Sequence, residues 1–278
     1  MLEISNESHK IKVIVTDLDG TLLTPEHTIS TYTQSIFRAL HRQGYSIIVA
    51  TGRHHKDAMH ITKSLDVPIY LVTSNGARIH TPEKELYYAF DIENEAIKSV
   101  LALDIDTAIT TVLFKEEVWL TNKENKKLNS FQTEMHYPPQ IVDFKTETDL
   151  SAIKLLFVDD DHEKLQQLDQ LIKAQPHNYF ETCFSLPICL ELMDKRIDKS
   201  YAIAKILEKE NYTFEEAISF GDGFNDEKML LATQKALIMG NAPDKLKNKL
   251  AHLEVIASND EDGVAKYIET NILHKVAK

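Results

Sequence analysis

Cysteine and long apolar runs are scarce in this sequence. The two cysteines among 278 residues, Cys183 and Cys189, fit neither a disulfide framework nor a zinc site, and we expect both to be small buried side chains of a reducing compartment. No apolar run approaches the roughly 18 residues of a transmembrane helix. The first ten residues carry Glu3 and Glu7 and lack the apolar segment of a signal peptide. These absences predict a cytoplasmic protein that does not bind membranes.

Positive charge is also in short supply. The chain has 31 Lys and Arg residues against 43 Asp and Glu, a formal net charge of −12. Such a chain repels polyanions, and it has no basic run that would follow a phosphate backbone, so we predict that it does not bind nucleic acid. An anionic substrate would need cations close to the site. Glycine and proline number only 8 each and apolar residues make up 43%, a composition that excludes collagen-like and disordered chains.

Short apolar runs with β-branched residues recur in both end regions of the chain. Runs of this kind, bounded by polar residues or glycine, are typical of strands buried on both faces of a parallel sheet. They lie at 11–15, 47–50, 69–72, 217–220, 236–239 and 255–257. Helical stripes alternate with them, and the last consists of Val264, Ile268 and Ile272. This alternation predicts an α/β fold with a doubly wound parallel sheet.

The middle of the chain has a different pattern, in which β-like runs come in pairs and a helical stripe follows. These segments lie at 86–90, 110–114, 118–121 and 165–172. We interpret the region as a second α/β unit inserted into the first. The predicted organisation is a core formed by 1–84 and 191–278, with an inserted domain at 85–190.

Two aspartates follow the first strand directly, in the segment Asp17-Leu18-Asp19-Gly20-Thr21-Leu22. Ligands of open α/β sheets bind at the carboxyl ends of the strands, where Asp17 is expected. Two carboxylates two residues apart at a glycine turn can face one site, with one as nucleophile and the other as proton donor or acceptor. The alternative is a turn in which Asp and Gly only satisfy backbone geometry.

A second acidic segment, Gly221-Asp222-Gly223-Phe224-Asn225-Asp226, follows another predicted strand. Asp222 and Asp226 are hard oxygen ligands, and an oxygen-rich site with few protein ligands suits Mg²⁺. Alternatively, Asn225 or Asp226 caps the helix that begins at Glu227, and the two roles are compatible. The ligand spacing of an EF-hand calcium loop is absent.

Further polar positions lie at other strand and helix ends. Thr51 and Gly52 follow the second strand, where a hydroxyl and backbone N–H groups can hold phosphate oxygens, although such turns are common. Lys199 lies just before a predicted helix, and a lone lysine is usually solvated. Asn75 follows the third strand and either contacts the site or is a turn residue.

Taken along the chain, the segments at Asp17–Leu22, Thr51-Gly52, Lys199 and Gly221–Asp226 together resemble the haloacid dehalogenase-like superfamily of phosphotransferases. The stretches 50–55 (ATGRHH), 74–78 (SNGAR) and 221–230 (GDGFNDEKML) are most similar to bacterial Cof-type enzymes that hydrolyse sugar phosphates and pyridoxal phosphate. Gly240-Asn241-Ala242 also resembles a family segment. The resemblance implies a Rossmann-like core with the insertion as an α/β cap domain. The sequence departs from the subfamily at Ser200, where glycine is common.

The resemblance also implies roles for the site residues. Asp17 matches the nucleophile that forms an aspartyl-phosphate, and Asp19 matches the acid or base that protonates the leaving alcohol and then activates water. In this family pattern, Mg²⁺ is held by Asp17, the main-chain carbonyl of Asp19 and Asp222. Asp226 contacts these ligands and does not bind the ion itself. The residues predicted to bind the phosphoryl group are Thr51, Gly52, Lys199 and Asn225.

The predicted function is a Mg²⁺-dependent phosphatase for small soluble phosphomonoesters, and its partner is a small phosphorylated metabolite. Phosphoryl transfer requires positioning and charge stabilisation, which Mg²⁺ and Lys199 would supply in an acidic protein. The alternatives are a phosphomutase of the same superfamily and a non-catalytic metabolite-binding protein on this fold. A phosphorylated receiver domain would need only about half of this length.

Two other polar clusters have simpler interpretations. His54 and His55 follow the Thr51-Gly52 turn and either line the pocket or lie on the surface of a helix. We favour the helix surface, because neither has an evident ligand partner. Asp159-Asp160-Asp161 resembles a metal site superficially. We interpret it as a strand end and a helix cap, since no ligand from elsewhere is expected to converge on it.

Overall fold

The computed structural model describes residues 11–128, 139–176 and 179–273. They form two compact units, which we call the core unit and the inserted unit. The core unit contains the described residues up to Ala89 and from Asp198 onward, and the inserted unit is Phe90–Ile197. The division therefore lies a few residues later at each end than the 84/85 and 190/191 boundaries expected from the sequence.

The described strands and helices are as follows. The strands are β1 Val13–Thr16, β2 Ser46–Ala50, β3 Tyr70–Thr73, β4 Arg78–His80, β5 Leu86–Ala89, β6 Thr110–Phe114, β7 Trp119–Thr121, β8 Gln140–Ile141, β9 Lys154–Val158, β10 Phe180–Leu186, β11 Cys189–Asp194, β12 Ala217–Gly221, β13 Lys235–Ile238 and β14 Glu254–Val255. The helices are α1 Thr31–Arg42, α2 His55–Thr62, α3 Asn94–Leu101, α4 His162–Lys173, α5 Lys199–Lys209, α6 Glu227–Ala232, α7 Asp244–Lys249 and α8 Gly263–Asn271.

The core unit is built on an eight-stranded sheet in the order β14-β13-β12-β1-β2-β3-β4-β5. The first six strands in this order pair in parallel, so the predicted parallel sheet is confirmed. The last two strands, β4 and β5, extend it with antiparallel pairs. Strand β5 was expected within the insertion. Its apolar run carried no information about which sheet it would join, and pairing with β4 places it in the core sheet.

Both faces of the core sheet are covered by helices. Ile14 packs in one apolar cluster with Phe37 of α1 and Ile268 of α8. Its neighbours Val13 and Val15 belong to a cluster on the other face, which includes residues of α5 and α6 such as Ile203. Because successive side chains of a strand point to opposite faces, a strand covered on both sides needs an unbroken apolar run. The sequence Val13–Val15 meets this requirement, and these three residues and Thr16 are all buried.

The inserted unit is a six-stranded sheet in the order β10-β11-β9-β6-β7-β8. All of its pairs are antiparallel except β7 with β8. Helices α3 and α4 contribute to one apolar cluster with this sheet, and Leu165, Leu168 and Ile172 of α4 are buried there. The helical stripe predicted near 165–172 is therefore confirmed for these three side chains, and it was wrong for Leu171, which is exposed.

The two cysteines differ in exposure. Cys189 is buried in β11, as expected, but Cys183 is exposed. The expectation for Cys183 was wrong because β10 is an edge strand, so one of its sides lacks a neighbouring strand. Within the described ranges, none of the helices combines the length and the apolar character that crossing a membrane requires.

Candidate active site

The carboxyl ends of four parallel strands meet at one edge of the core sheet. Thr16, the last residue of β1, pairs with Val49 of β2 and Phe220 of β12, and β3 runs parallel beside β2. The segments that follow these strands begin at Asp17, Thr51, Ser74 and Asp222. The sequence placed these segments at strand ends, and the parallel register brings the ends together.

Asp17 is buried against a lysine from another part of the chain. The Lys199 ammonium donates to Asp17 Oδ1 and to Asp226 Oδ1, each at 2.6 Å. The side chains of Lys199 and Asp226 are fully buried, and that of Asp17 is 7% exposed. Lys199 is the first residue of α5. The lysine is therefore a buried partner of two aspartates instead of a solvated side chain.

Ser200 occupies a position where the resemblance led us to consider glycine. It lies in the first turn of α5, directly after Lys199. Its backbone is not among the positive-φ positions of the described chain. A residue with a Cβ is thus accommodated there without strain, and Lys199 still contacts Asp17.

Asp222 is held by the turn that follows Asp17. The Thr21 hydroxyl donates to Asp222 Oδ1 at 2.8 Å. Between Asp19 and Thr21, Gly20 has a φ of +71°, and a Cβ at this position would lie 2.3 Å from Asp222 Oδ2. Both the backbone conformation and the close approach therefore require glycine. The Asp-Gly turn is not merely a local turn, because it packs against the second acidic segment.

Asp226 connects Lys199 to the turn that carries Asp222. Its Oδ2 accepts hydrogen bonds from the backbone N–H groups of Asp222 and Gly223, at 3.0 and 2.8 Å, while its Oδ1 accepts from Lys199. Both carboxylate oxygens are thus engaged by the protein. Asp226 also immediately precedes α6, but its side chain makes no hydrogen bond that caps this helix.

The cluster contains more negative than positive groups, and this imbalance changes the pKa values of its members. Burial, reinforced by the charge on Asp226, raises the pKa of Asp17 well above its ordinary value. Burial also raises the pKa of Asp222 to about 6. Burial lowers the pKa of Lys199, but the attraction of Asp17 and Asp226 outweighs this effect, and the pKa is raised overall. Three neighbouring carboxylates share one ammonium group, so a further cation would stabilise them.

The donor set fits a hard divalent cation. Carboxylate oxygens of Asp17, Asp222 and Asp226 lie within 4.8 Å of one another. Asp17 and Asp222 each retain one oxygen that accepts no hydrogen bond from the described part of the chain. Oxygen ligands of this kind are the ones that Mg²⁺ binds in proteins.

Asp19 points to a different partner. Arg53 Nε donates to Asp19 Oδ2 at 2.8 Å, and Arg53 Nη2 donates to Asp19 Oδ1 at 2.7 Å. The third nitrogen of the guanidinium, Nη1, donates to Asp57 Oδ2 at 2.6 Å. Sequence reasoning quoted Arg53 within its motif but assigned it no role. Its position directly after the Thr51-Gly52 turn was the available signal.

The remaining predicted residues line the turns around this cluster. Thr51 is buried, and its hydroxyl accepts a hydrogen bond from Arg53 N–H at 3.1 Å. Asn225 Nδ2 donates to Asn75 Oδ1 at 3.0 Å, and a Cβ at Gly52 would lie 3.1 Å from Asn75 Nδ2. The structure thus brings Asn75 to the turns of β2 and β12, which extends its role beyond a local turn.

Asn241 is a residue of the site whose role sequence reasoning missed. Its Nδ2 donates to the carbonyl of Gly20 at 2.7 Å, and its Oδ1 accepts from the backbone N–H of Asn259 at 3.0 Å. The side chain therefore ties the Asp17–Thr21 turn to the segment after β14. The signal was the segment Gly240-Asn241-Ala242, which follows β13.

The histidine prediction was wrong. His54 and His55 are 4% and 6% exposed, and His80 of β4 is 5% exposed. Their rings are packed together, with centroids 4.1 Å apart for His54 and His55 and 5.1 Å apart for His55 and His80. The sequence could not show that β4 would supply a third ring. The Asp159–Asp161 interpretation is confirmed, since the Asp161 side chain caps α4.

Comparison with known families shows the family to which the chain belongs. A family model described as haloacid dehalogenase-like hydrolase matches residues 14–268. The chain belongs to this family. The superfamily predicted from the sequence motifs is therefore confirmed.

Relatives of this haloacid dehalogenase-like hydrolase carry phosphatase names. It is 36% identical over 259 residues to a Buchnera aphidicola subsp. Baizongia pistaciae protein named "Putative phosphatase", covering 92% of this chain and 96% of that one. It is 33% identical to the "HMP-PP phosphatase" of Cronobacter sakazakii, over 91% and 92% of the two chains. A crystal structure of a haloacid dehalogenase-like hydrolase from Bacteroides thetaiotaomicron superposes with a TM-score of 0.82, at 27% identity, over 94% and 99% of the chains.

Proposed function

We propose that this protein is a Mg²⁺-dependent phosphatase that hydrolyses small phosphomonoesters through an aspartyl-phosphate on Asp17. The observation that carries the proposal is the contact of the buried Asp17 carboxylate with Lys199 at 2.6 Å, beside Asp222 and two residues before Asp19. A nucleophile, a fixed cation and a second acidic group at one strand end are the parts that phosphoryl transfer needs. Relatives named as phosphatases support the same activity.

The first half of the reaction phosphorylates the protein. An oxygen of Asp17 attacks the phosphorus of the ester, and the bond from phosphorus to the ester oxygen breaks. The leaving oxygen takes a proton from Asp19 and departs as the alcohol. Lys199, which is fully buried beside Asp17, offsets the negative charge of the phosphoryl group. The Thr51 hydroxyl, the backbone at Gly52 and the amide of Asn225 hold its oxygens.

The second half releases phosphate. A water molecule attacks the phosphorus of the aspartyl-phosphate, and its proton passes to the Asp19 carboxylate. The bond from phosphorus to the Asp17 oxygen breaks, which yields inorganic phosphate and restores the Asp17 carboxylate. Asp19 thereby returns to the protonated form needed for the next cycle.

Asp17, Asp222 and the main-chain carbonyl of Asp19 would hold the Mg²⁺. Asp226 would support these ligands, because its oxygens accept hydrogen bonds from Lys199 and from the backbone N–H groups of Asp222 and Gly223. When bound, Mg²⁺ supplies positive charge that offsets the repulsion between the anionic nucleophile and the anionic ester. The raised pKa values of Asp17 and Asp222 support a site that is completed by a cation.

The inserted unit is proposed to be a cap that selects the leaving group and keeps bulk water out while Asp17 is being phosphorylated. We propose sugar phosphates and pyridoxal phosphate as the substrate class, with pyridoxal phosphate as a substrate and not as a cofactor. The relative named HMP-PP phosphatase adds the compound of that name to the candidates.

The test is phosphate release from a panel of esters, with Mg²⁺ and with chelator. The panel contains hexose phosphates, pyridoxal phosphate, HMP-PP, nucleotides and a chromogenic aryl phosphate. Asp17→Asn removes the nucleophile, and Asp160→Asn is the matched control, because Asp160 is an exposed aspartate of the inserted unit. We expect Mg²⁺-dependent release that is lost in Asp17→Asn, by at least about a thousandfold, and kept in Asp160→Asn.

Three results would contradict the proposal. Release that persists in Asp17→Asn would exclude this residue as the nucleophile. An isomerised phosphosugar without free phosphate would establish a phosphomutase, and folded protein that binds Mg²⁺ but releases nothing from any ester would favour a metabolite-binding protein.

A further inference from the structure

Arg53 links the proposed acid and base, Asp19, to a second carboxylate. Three of its nitrogens donate hydrogen bonds, two to Asp19 and one to Asp57, at 2.6 to 2.8 Å. The Arg53 side chain is 18% exposed and that of Asp57 is 12% exposed, whereas that of Asp19 is 41% exposed. Asp19, the most exposed of the three, is therefore held by the less exposed Arg53, which in turn contacts Asp57.

The two-point contact determines the orientation of the Asp19 carboxylate. A guanidinium that donates to both oxygens fixes the plane of the carboxylate as well as its position. A lysine at the same place would donate from a single point and would leave the plane free to turn. A half-exposed aspartate without this contact would sample several rotamers. Arg53 thus supplies orientation that the Asp19 turn does not supply itself.

The contact between Arg53 and Asp19 suits the half of the proposed reaction in which Asp19 accepts a proton. Both oxygens of Asp19 accept hydrogen bonds from Arg53, so in this contact the Asp19 side chain acts only as an acceptor. An ionised Asp19 can take a proton from water but cannot donate one. For the donating half, one oxygen must carry a proton and one of the two contacts must open.

We propose that Arg53 is a positioning residue that orients Asp19 to accept the proton of the water that attacks the aspartyl-phosphate, and that Asp57 fixes Arg53 in this pose. This inference rests on the proposed phosphatase function. In the step concerned, the water oxygen bonds to phosphorus, the phosphorus–Asp17 bond breaks, and the proton moves to Asp19. Loss of the orientation slows this step more than it slows formation of the aspartyl-phosphate from an ester whose leaving group needs no proton.

The experiment uses an activated aryl phosphate with the full-length protein and Mg²⁺. For this substrate, kcat/KM reports formation of the aspartyl-phosphate, and kcat reports its hydrolysis when that step is slowest. The test variants are Arg53→Lys and Asp57→Asn. The control is Arg196→Lys, because Arg196 makes the same two-point contact with Asp194, at 2.9 and 2.8 Å, within the inserted unit.

We expect Arg53→Lys to lower kcat about ten- to a hundredfold, while kcat/KM changes by less than about threefold. A burst of aryl alcohol close to one per protein molecule accompanies the fall, because the aspartyl-phosphate accumulates. Asp57→Asn shows the same split with a smaller fall in kcat, and it keeps the test usable if Arg53→Lys does not fold. Arg196→Lys leaves both parameters unchanged.

Equal falls in kcat and kcat/KM without a larger burst would overturn the inference, because Arg53 would then act in substrate binding or phosphorylation. Unchanged kinetics in Arg53→Lys would overturn it as well. Both outcomes leave the phosphatase proposal intact, provided that the wild-type protein hydrolyses the ester. An inactive wild-type protein overturns the phosphatase proposal, and this inference with it.

Discussion

Two strand ends of this protein carry clustered aspartates, yet they have different surroundings. After β1, Asp17 is buried on Lys199, beside Asp222 and Asp226. After β9, Asp159 accepts from the backbone N–H of Asp161, and Asp161 caps α4. Asp160 pairs with Lys127 at the surface. The first cluster is a multi-segment site, and the second is a local turn.

The direction of the neighbouring strands explains the difference. Beside Thr16, the parallel strands β2 and β12 also reach their carboxyl ends, so the segments after all three strands meet. Beside Val158, the antiparallel neighbours β6 and β11 begin, with Thr110 and Cys189. At an acidic strand end in an antiparallel sheet, the neighbouring strands begin, so the segments that follow their carboxyl ends lie at the opposite edge.

Replacing the lysine of each cluster should give the largest difference in stability between the two clusters. Lys199→Met leaves Asp17 and Asp226 buried without their partner, and we expect the free energy of unfolding to fall by about 3–5 kcal/mol. Lys127→Met removes an exposed ion pair, with side chains 42% and 76% exposed, and should cost less than about 1 kcal/mol. Urea unfolding of metal-free protein measures both. Equal losses would contradict the contrast between a buried site and a surface turn.

Replacing Asp222 should show whether Mg²⁺ binds to the first aspartate cluster and not to the second. Asp222→Asn lowers the repulsion in the metal-free cluster, and an amide oxygen can still accept from Thr21. We therefore expect metal-free Asp222→Asn to melt at a higher temperature than the wild type at pH 7.5, and Mg²⁺ to raise the Tm of the wild type only. In the second cluster, Asp159→Asn should leave the response of the Tm to Mg²⁺ unchanged. A Mg²⁺-dependent rise in Asp222→Asn would exclude this aspartate as a ligand.

The same variant gives a pH test. The folded protein raises the pKa of Asp222 to about 6, chiefly through burial, so protonation of this group is more favourable in the folded than in the unfolded chain. Metal-free wild type should gain stability as the pH falls through about 6 towards the ordinary aspartate pKa near 4. In Asp222→Asn this gain should be smaller, as measured by Tm between pH 7.5 and 5. An identical pH dependence would contradict the raised pKa.

The smallest effect is expected at the helix cap of the second cluster. The Asp161 side chain accepts from the Glu163 N–H at 3.0 Å, and Asp161→Ala should lower the free energy of unfolding by about 1 kcal/mol without changing phosphatase activity. Asp160→Ala is the control, since its side chain does not cap α4. A loss of activity in Asp161→Ala would show that the second cluster contributes to catalysis.

Most of the core fold could be predicted because its signals are local. Unbroken apolar runs identify strands that are covered on both faces, and the polar residues after those strands mark the edge at which the candidate site lies. Asp17, Thr51 and Asp222 were recognised in this way. The placement of β5 was not predictable, because the run Leu86–Ala89 would have suited an edge strand of either sheet.

By itself, the sequence determined the α/β class, the family and the strand ends at which the proposed chemistry lies. Tertiary structure decided which side chains meet there: Arg53 with Asp19 across 34 positions, Lys199 with Asp17 across 182, and His80 with His55. Strand and turn signals come from neighbouring residues and can be read along the chain. Contacts between distant residues depend on strand order, register and rotamers, which form only when the whole unit packs.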